Sequence, residues 1–247
     1  TDEQRAIQEM AQAFARDDLA PHSAKWEEAR HFPVDVMRAA AGLGFAGIYV
    51  QEDVGGSALT RLDASIIFEA LSYGDVPVAA YLTIHNMASW MIDRFASEDL
   101  RARYLPRLTT MELIASYCLT EPGSGSDAVS MRTTAKKDGD HYVLNGSKAY
   151  ISGAGVSDVY VVMAQVNFDN VRVHESNRVG QEGEGFRFAM MGLDGGRLNI
   201  ASCSLGGAAF ALDTAKAYME TRNQFGKPLK DFQALQFKLA DMATELE

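Results

Sequence analysis

The sequence predicts an α+β chain in which helices come first, strands follow and helices return. Three observations carry that expectation. Apolar residues recur at helical spacing up to about Thr110. The period then shortens to runs rich in β-branched and aromatic residues, punctuated by Asp138-Gly139 and Asn145-Gly146, dipeptides that supply the positive φ angles of two-residue hairpin turns. After Gly183 and Gly185 the helical spacing resumes and ends in a stripe of Leu235, Leu239, Met242 and Leu246. No strand–helix–strand alternation occurs.

Taken in order, Thr1 with Gln4 forms a capping box ahead of Ile7, Met10 and Phe14. Phe32-Pro33 starts a second helix with Val36, Met37, Ala40 and Leu43 inward, stopped by Gly42 and Gly44. Thr60 and Asp63 repeat the capping pattern before Ile66, Ile67 and Leu71, and Gly74 closes that segment. From Pro77, residues Ile84, Met87, Met91 and Phe95 make a fourth stripe. Strands are expected at 113–119, 131–136, 141–144 and 159–163, with strand-like spacing again at Val166, Phe168, Val171 and Val173. The domains expected are residues 1–112 (helical), 113–182 (antiparallel β) and 183–247 (helical).

The 247 residues, 47% of them apolar, suffice for a large core. A formal net charge of −10 excludes a binder that works by counterion release from nucleic-acid phosphates. Two distant cysteines exclude a disulfide framework, and five histidines without ligand spacing give no metal site. No apolar run approaches the roughly twenty residues of a membrane span, and the polar start excludes a signal peptide. Gly153-Ala-Gly155 and Gly183-Glu-Gly185 lack the third glycine and the strand–helix context of a dinucleotide fold. Asn145-Gly146-Ser147 fits a glycosylation sequon but reads better as a turn. A start without Met and an uncapped helical end suggest part of a longer chain.

Three segments could carry chemistry. Tyr117 to Asp127 is a strand running into a loop of small residues, where Gly123 and Gly125 let backbone N–H groups approach a ligand and Ser124 and Ser126 offer hydroxyls; an ordinary Ser/Gly surface turn explains the pattern equally well. In Lys148 to Gly153, Tyr150 either joins the core or stacks on a flat ligand. Arg222 to Leu229 is a helix end and turn, in which Arg222 either binds phosphate or is a solvated cap.

In this order, between helical flanks, the three segments resemble the acyl-CoA dehydrogenase family, and Tyr117 to Asp127 is similar to its flavin-binding signature. The segments 32–37, 84–87, 148–155, 199–205 and 239–244 are similar to its isobutyryl-CoA dehydrogenase branch. The resemblance covers essentially the whole chain. It implies a helical N-terminal domain, a middle antiparallel β domain and the start of a C-terminal four-helix domain, with FAD as cofactor. Tyr117, Leu119 and Thr120 would lie against the pyrimidine edge of FAD, Gly125 and Ser126 near its diphosphate and the substrate, and Tyr150, Ile151 and Ser152 beside the isoalloxazine ring. Arg222, Gln224, Phe225, Phe232 and Gln233 would contact the FAD of a neighbouring subunit, implying a homo-oligomer, a tetramer. Asp194 and Arg197 would face the acyl-CoA.

The reaction implied is α,β-dehydrogenation of a short branched acyl-CoA, isobutyryl-CoA to methacrylyl-CoA in valine breakdown, with electrons passed to electron-transferring flavoprotein. A 2-methylbutyryl or short linear substrate is the alternative within the family, and a non-catalytic flavin- or CoA-binding fragment the alternative of another class. The family implies the cytoplasm in a bacterium and the mitochondrial matrix in a eukaryote. Two departures stand out. The glutamate base, which in part of the family precedes the residue matching Arg197, is Gly196 here, so the base is expected outside this sequence. Several tens of residues of the β domain are expected between Ala164 and Val166; a segment not represented in the sequence is favoured over a deletion, which would leave strand edges unpaired.

Overall fold

The computed structural model describes residues 1–164 and 171–247. In chain order its elements are α1 (Asp2–Phe14), a π-helical turn (Ala15–Leu19), α2 (Ser23–Ala29), α3 (Val34–Gly42), α4 (Arg61–Gly74), α5 (Val76–Phe95), α6 (Glu98–Leu108), β1 (Ala115–Cys118), β2 (Thr134–Asp138), β3 (His141–Asn145), β4 (Val159–Val162), β5 (Val171–His174), α7 (Gly185–Thr221), β6 (Asn223–Gln224), β7 (Lys227–Pro228) and α8 (Gln233–Leu246). The α, then β, then α order is the one the sequence predicts. The expected strand spacing at Val166 and Phe168, and the junction after Ala164, lie outside the described residues.

One compact unit comprises Thr1–Phe32, Ser65–Ala80 and Ile200–Glu247. The capping box at its start forms: the Gln4 N–H donates to the Thr1 hydroxyl at 3.2 Å, and the Thr1 amine donates to the Gln4 side chain at 3.0 Å. Glycines set its tightest contacts. A Cβ on Gly206 would stand 2.0 Å from the Glu69 carbonyl oxygen, and one on Gly74 2.4 Å from that of Ala15, so no other residue fits without backbone movement. The stripe on α8 exists, yet no residue of that helix is buried.

The other unit comprises Pro33–Ala64 and Tyr81–Asn199. Its core gathers Val50, Met87, Met91, Ile92, Leu105 and Leu108 from the helical part with Tyr117 and Val161 from the strands and Leu119 just after β1. Asn86 and His85 on α5 are fully buried and organise it. Asn86 accepts the Ile48 N–H at 2.8 Å and donates to the carbonyls of Phe45 (2.8 Å) and Leu82 (2.9 Å), pinning the loop after α3. His85 accepts the Ala115 N–H on Nδ1 at 3.1 Å, which leaves Nε2 to donate to the Leu108 carbonyl at 3.0 Å. Burial lowers its pKa to about 4, so the ring is neutral. A histidine without ligand spacing is thus a splice between α6 and β1.

Two strand groups follow. Strands β2, β3 and β5 form an antiparallel sheet in the order β2-β3-β5, with Asp138 opposite His141 across the turn that Asp138-Gly139 predicts. Three expectations are corrected. First, β1 pairs with β4 in parallel, Ala115 opposite Val159 and Cys118 opposite Val162, so the β region is not antiparallel throughout. Some forty residues separate these two apolar strands, ample for the crossover that parallel pairing needs. Second, Asn145-Gly146 is no hairpin: β3 already has partners on both edges, and the chain leaves the sheet there. Gly146, at φ 149°, is needed for close approach, since a Cβ would stand 2.4 Å from the Thr133 hydroxyl oxygen. Third, Leu43 caps α3 and is exposed instead of inward.

Candidate functional site

The site builds outward from β1. Buried on both faces, this strand delivers Tyr117, Leu119 and Thr120 to the edge of the core, after which the chain turns through the small-residue loop. The Glu121 and Ser124 backbones exchange hydrogen bonds (2.9 and 3.1 Å), and the Ser124 hydroxyl donates to the Asp127 carbonyl at 2.6 Å, closing the turn. Ser124 is therefore structural, whereas Gly125 and Ser126 are exposed. A Cβ at Gly123 or Gly125 would meet nothing within 4 Å, so there is open room beside both.

The Lys148–Gly153 segment runs alongside. The Ala149 N–H donates to the Thr120 carbonyl at 2.9 Å, and the Lys148 ammonium donates to the Leu119 carbonyl at 2.9 Å. Further on, the Ser116 hydroxyl donates to the Ser152 carbonyl at 2.5 Å and shares a 2.6 Å contact with the Ser157 hydroxyl. Tyr81 completes this cluster by donating to the Ala115 carbonyl at 2.9 Å; burial pushes its hydroxyl up to about 12, so it remains a donor. These bonds hold residues 148–152, with Tyr150, Ile151 and Ser152, alongside residues 116–120, with Tyr117, Leu119 and Thr120; with Gly125 and Ser126 on the loop that follows, these residues make up the candidate face. Tyr150 is 94% exposed and sits at φ 56°, a conformation that costs a non-glycine residue about 1 kcal/mol. An aromatic ring held in that strained backbone and left in solvent is suited to stacking on a flat ligand.

Could this face hold a flavin? The Tyr117 hydroxyl is buried with no hydrogen-bond partner among the described residues, the Thr120 N–H is likewise unpaired among them, and the loop offers open room above Gly123 and Gly125. Unpaired donors, a strained exposed aromatic and space for a ring edge fit the group. A cavity of about 490 Å³ lies elsewhere, lined by Met91, Tyr142, Val173, Arg178 and Phe188, and shares no residue with this face.

Asp194 and Arg197, one turn apart on α7, are both exposed and pair with each other at 2.8 Å. Gly196 beside them would bring a Cβ to 3.6 Å from the Met87 sulfur, an ordinary contact. In the unit that contains it, the 222–233 segment forms the β6–β7 hairpin with Phe225 and Gly226 at positive φ (53° and 80°), and the Leu229 N–H donates to the Arg222 carbonyl at 2.8 Å. Phe225, 94% exposed, meets Phe232 edge-to-face at 6.3 Å, while Arg222, Gln224 and Gln233 are exposed.

Sequence reasoning passed over one buried ion pair. The Glu121 carboxylate receives the Lys148 ammonium at 2.9 Å, the Arg132 N–H at 2.5 Å and the Thr133 N–H at 2.7 Å. The side chains are only 6% and 12% exposed. Burial alone would raise the Glu121 pKa, but donation from Thr133, Arg132 and Lys148 outweighs it and holds the value at about 2. The available signal was a charge on each of the two candidate segments.

Family models of the acyl-CoA dehydrogenase N-terminal, middle and C-terminal domains match residues 1–112, 116–204 and 183–247. The chain is 49% identical to the mitochondrial isobutyryl-CoA dehydrogenase of Bos taurus, a match that takes in all of this chain and 68% of that one. It spans 285 residues against this chain's 247, so 38 aligned positions face none of its residues. Butyryl-CoA dehydrogenase from Megasphaera elsdenii superposes with a TM-score of 0.93 at 31% identity, and the FAD complex of PigA with 0.92 at 28%; each match covers this whole chain and 76% of the solved one.

Proposed function

The chain belongs to the acyl-CoA dehydrogenase family, FAD-dependent oxidoreductases, and from that premise we propose that it dehydrogenates a short branched acyl-CoA, isobutyryl-CoA, at the α,β bond. The 49% identity to an isobutyryl-CoA dehydrogenase is the observation that carries this reading. Methacrylyl-CoA is the product, valine breakdown the setting, and electron-transferring flavoprotein the electron acceptor; a solved structure titled for the electron-transferring flavoprotein of Acidaminococcus fermentans is among the chain's structural matches, at a TM-score of 0.94. No described helix is long and apolar enough to cross a membrane.

In this reading the face built on β1 seats the cofactor. Leu119 and Thr120 meet the pyrimidine edge, where the unpaired Thr120 N–H donates to developing negative charge. Tyr117 lies against the same edge, Gly125 and Ser126 give the diphosphate and thioester close access, and Tyr150 with Ile151 and Ser152 covers the ring system. When bound, FAD supplies the two-electron acceptor for the hydrogen that leaves the β-carbon. Arg222, Gln224, Phe225, Phe232 and Gln233 reach the cofactor of a neighbouring subunit in a tetramer, which accounts for the exposed Phe225 in a strained turn. Asp194 and Arg197 face the acyl-CoA, with Arg197 exchanging its Asp194 partner for the ligand's anionic groups. The domains of this enzyme are residues 1–112, 113–182 and 183–247.

Removing the weakly acidic α-proton requires a carboxylate, and Gly196 provides none. The base is therefore expected outside this sequence, and the alternative reading is a flavin- or CoA-binding scaffold without turnover. Assay of a straight- and branched-chain acyl-CoA panel with the full-length protein and a dye acceptor separates them. At least tenfold preference in kcat/KM for isobutyryl-CoA is expected. Equal rates across the panel remove the substrate assignment, and bound flavin without turnover supports the scaffold.

A further inference from the structure

We propose that the buried Glu121–Lys148 pair is a positioning device for the cofactor, holding the Leu119–Thr120 peptide so that its N–H points into the flavin seat. The inference rests on the flavin seat proposed above, to which neither residue is assigned.

The geometry is that of a clamp on one peptide plane. In a trans peptide the carbonyl of one residue and the N–H of the next point in opposite directions. Lys148 draws the Leu119 carbonyl to one side at 2.9 Å, and the Thr120 N–H is thereby aimed the other way, where among the described residues nothing accepts it. The adjacent plane is fixed likewise: the Ala149 N–H holds the Thr120 carbonyl, and the Glu121 N–H turns away to the Ser124 carbonyl. Lys148 can do this only because its ammonium is itself held. Glu121 accepts it at 2.9 Å and is anchored in turn by the N–H groups of Arg132 and Thr133, from the chain entering β2. Two segments, that of Lys148 and that of Arg132 and Thr133, therefore converge on one carboxylate of the loop.

A buried pair adds little to stability relative to an apolar substitute of the same shape, whereas loss of one partner is costly. A pair kept beside a ligand-facing peptide thus has a reason beyond folding, namely orienting a donor. Its pairing also cancels charge: a lone Lys148 would favour reduced, anionic flavin, and a lone Glu121 would oppose it.

The test uses Lys148→Met, Glu121→Gln and the double variant, which removes both charges and remains informative if a single variant fails to fold. FAD dissociation constants, flavin midpoint potential and thermal unfolding are measured on each. The double variant is expected to bind FAD about tenfold more weakly and to lose about tenfold in preference for reduced over oxidised flavin, a fall of about 30 mV for a two-electron couple. Lys148→Met should lower the potential further than the double variant, and Lys148→Arg should restore part of the affinity. A lowered melting temperature with unchanged FAD affinity and potential would overturn the inference and leave the flavin seat standing. Tyr150→Ala serves as the control for the seat: if it leaves FAD binding untouched along with the pair variants, seat and clamp fall together.

Discussion

The helical part around residues 81–95 of α5 and the three-stranded sheet β2-β3-β5 lie in the same compact unit and are stabilised differently. Around α5, Met37, Phe45, Met91, Leu105 and Leu108 are essentially inaccessible, and the buried polar groups of His85 and Asn86 are all partnered. In the sheet no residue of β2, β3 or β5 is buried, although the backbone ladders are complete. Turn chemistry and β-branched residues are enough to set register, but burial is what makes a structure resist unfolding.

The contrast can be broken most forcefully from the helical side. Met91→Ala removes a side chain with no exposure and should cost about 2–5 kcal/mol in urea unfolding. A loss under about 1 kcal/mol would mean that α5 is not the centre of the core. Next in size is the acid response. His85 is neutral when folded, with a pKa of about 4 against 6.5 unfolded, so its stabilising contribution is complete above pH 6.5 and lost as pH falls toward 4. The full loss is about 3 kcal/mol. Unfolding free energies at pH 7.0 and 4.5 should differ by most of that amount, and a flat profile would contradict a buried, neutral His85. Glu121, held at about 2, adds a second loss below pH 4.5.

These helical features were partly legible in the sequence. Thr1 with Gln4 and Thr60 with Asp63 announced helix starts because capping is local, and both boxes form. The role of His85 was not legible, because its partners Leu108 and Ala115 are distant in sequence. The strands beside the loop show the same limit. Asp138-Gly139 marked a true turn, while Asn145-Gly146 did not, since tertiary pairing on both edges of β3 decided the outcome. The small residues of 117–127 and the aromatic of 148–153 singled out the candidate segments, but the ion pair that joins them was hidden, since a lone charge in a sequence carries no sign of its partner.

Smaller effects sharpen the sheet side. Val143→Ala on β3, half-buried, should cost only about 1 kcal/mol, and a loss equal to that of Met91→Ala would erase the contrast. Smallest is Gly125→Ala, where the new methyl meets nothing: stability should stay within about 0.5 kcal/mol. Gly56 is the opposite case, because a Cβ there would stand 2.0 Å from the Val50 carbonyl oxygen.

The flavin seat is tested most directly by titrating FAD against the protein and its Gly125→Leu variant, following flavin fluorescence with circular dichroism as a check on folding. The expected result is unchanged folding with FAD binding weakened at least tenfold, because the leucine fills room that only the cofactor otherwise enters. Equal affinity in a folded variant would contradict the placement of the flavin on this loop.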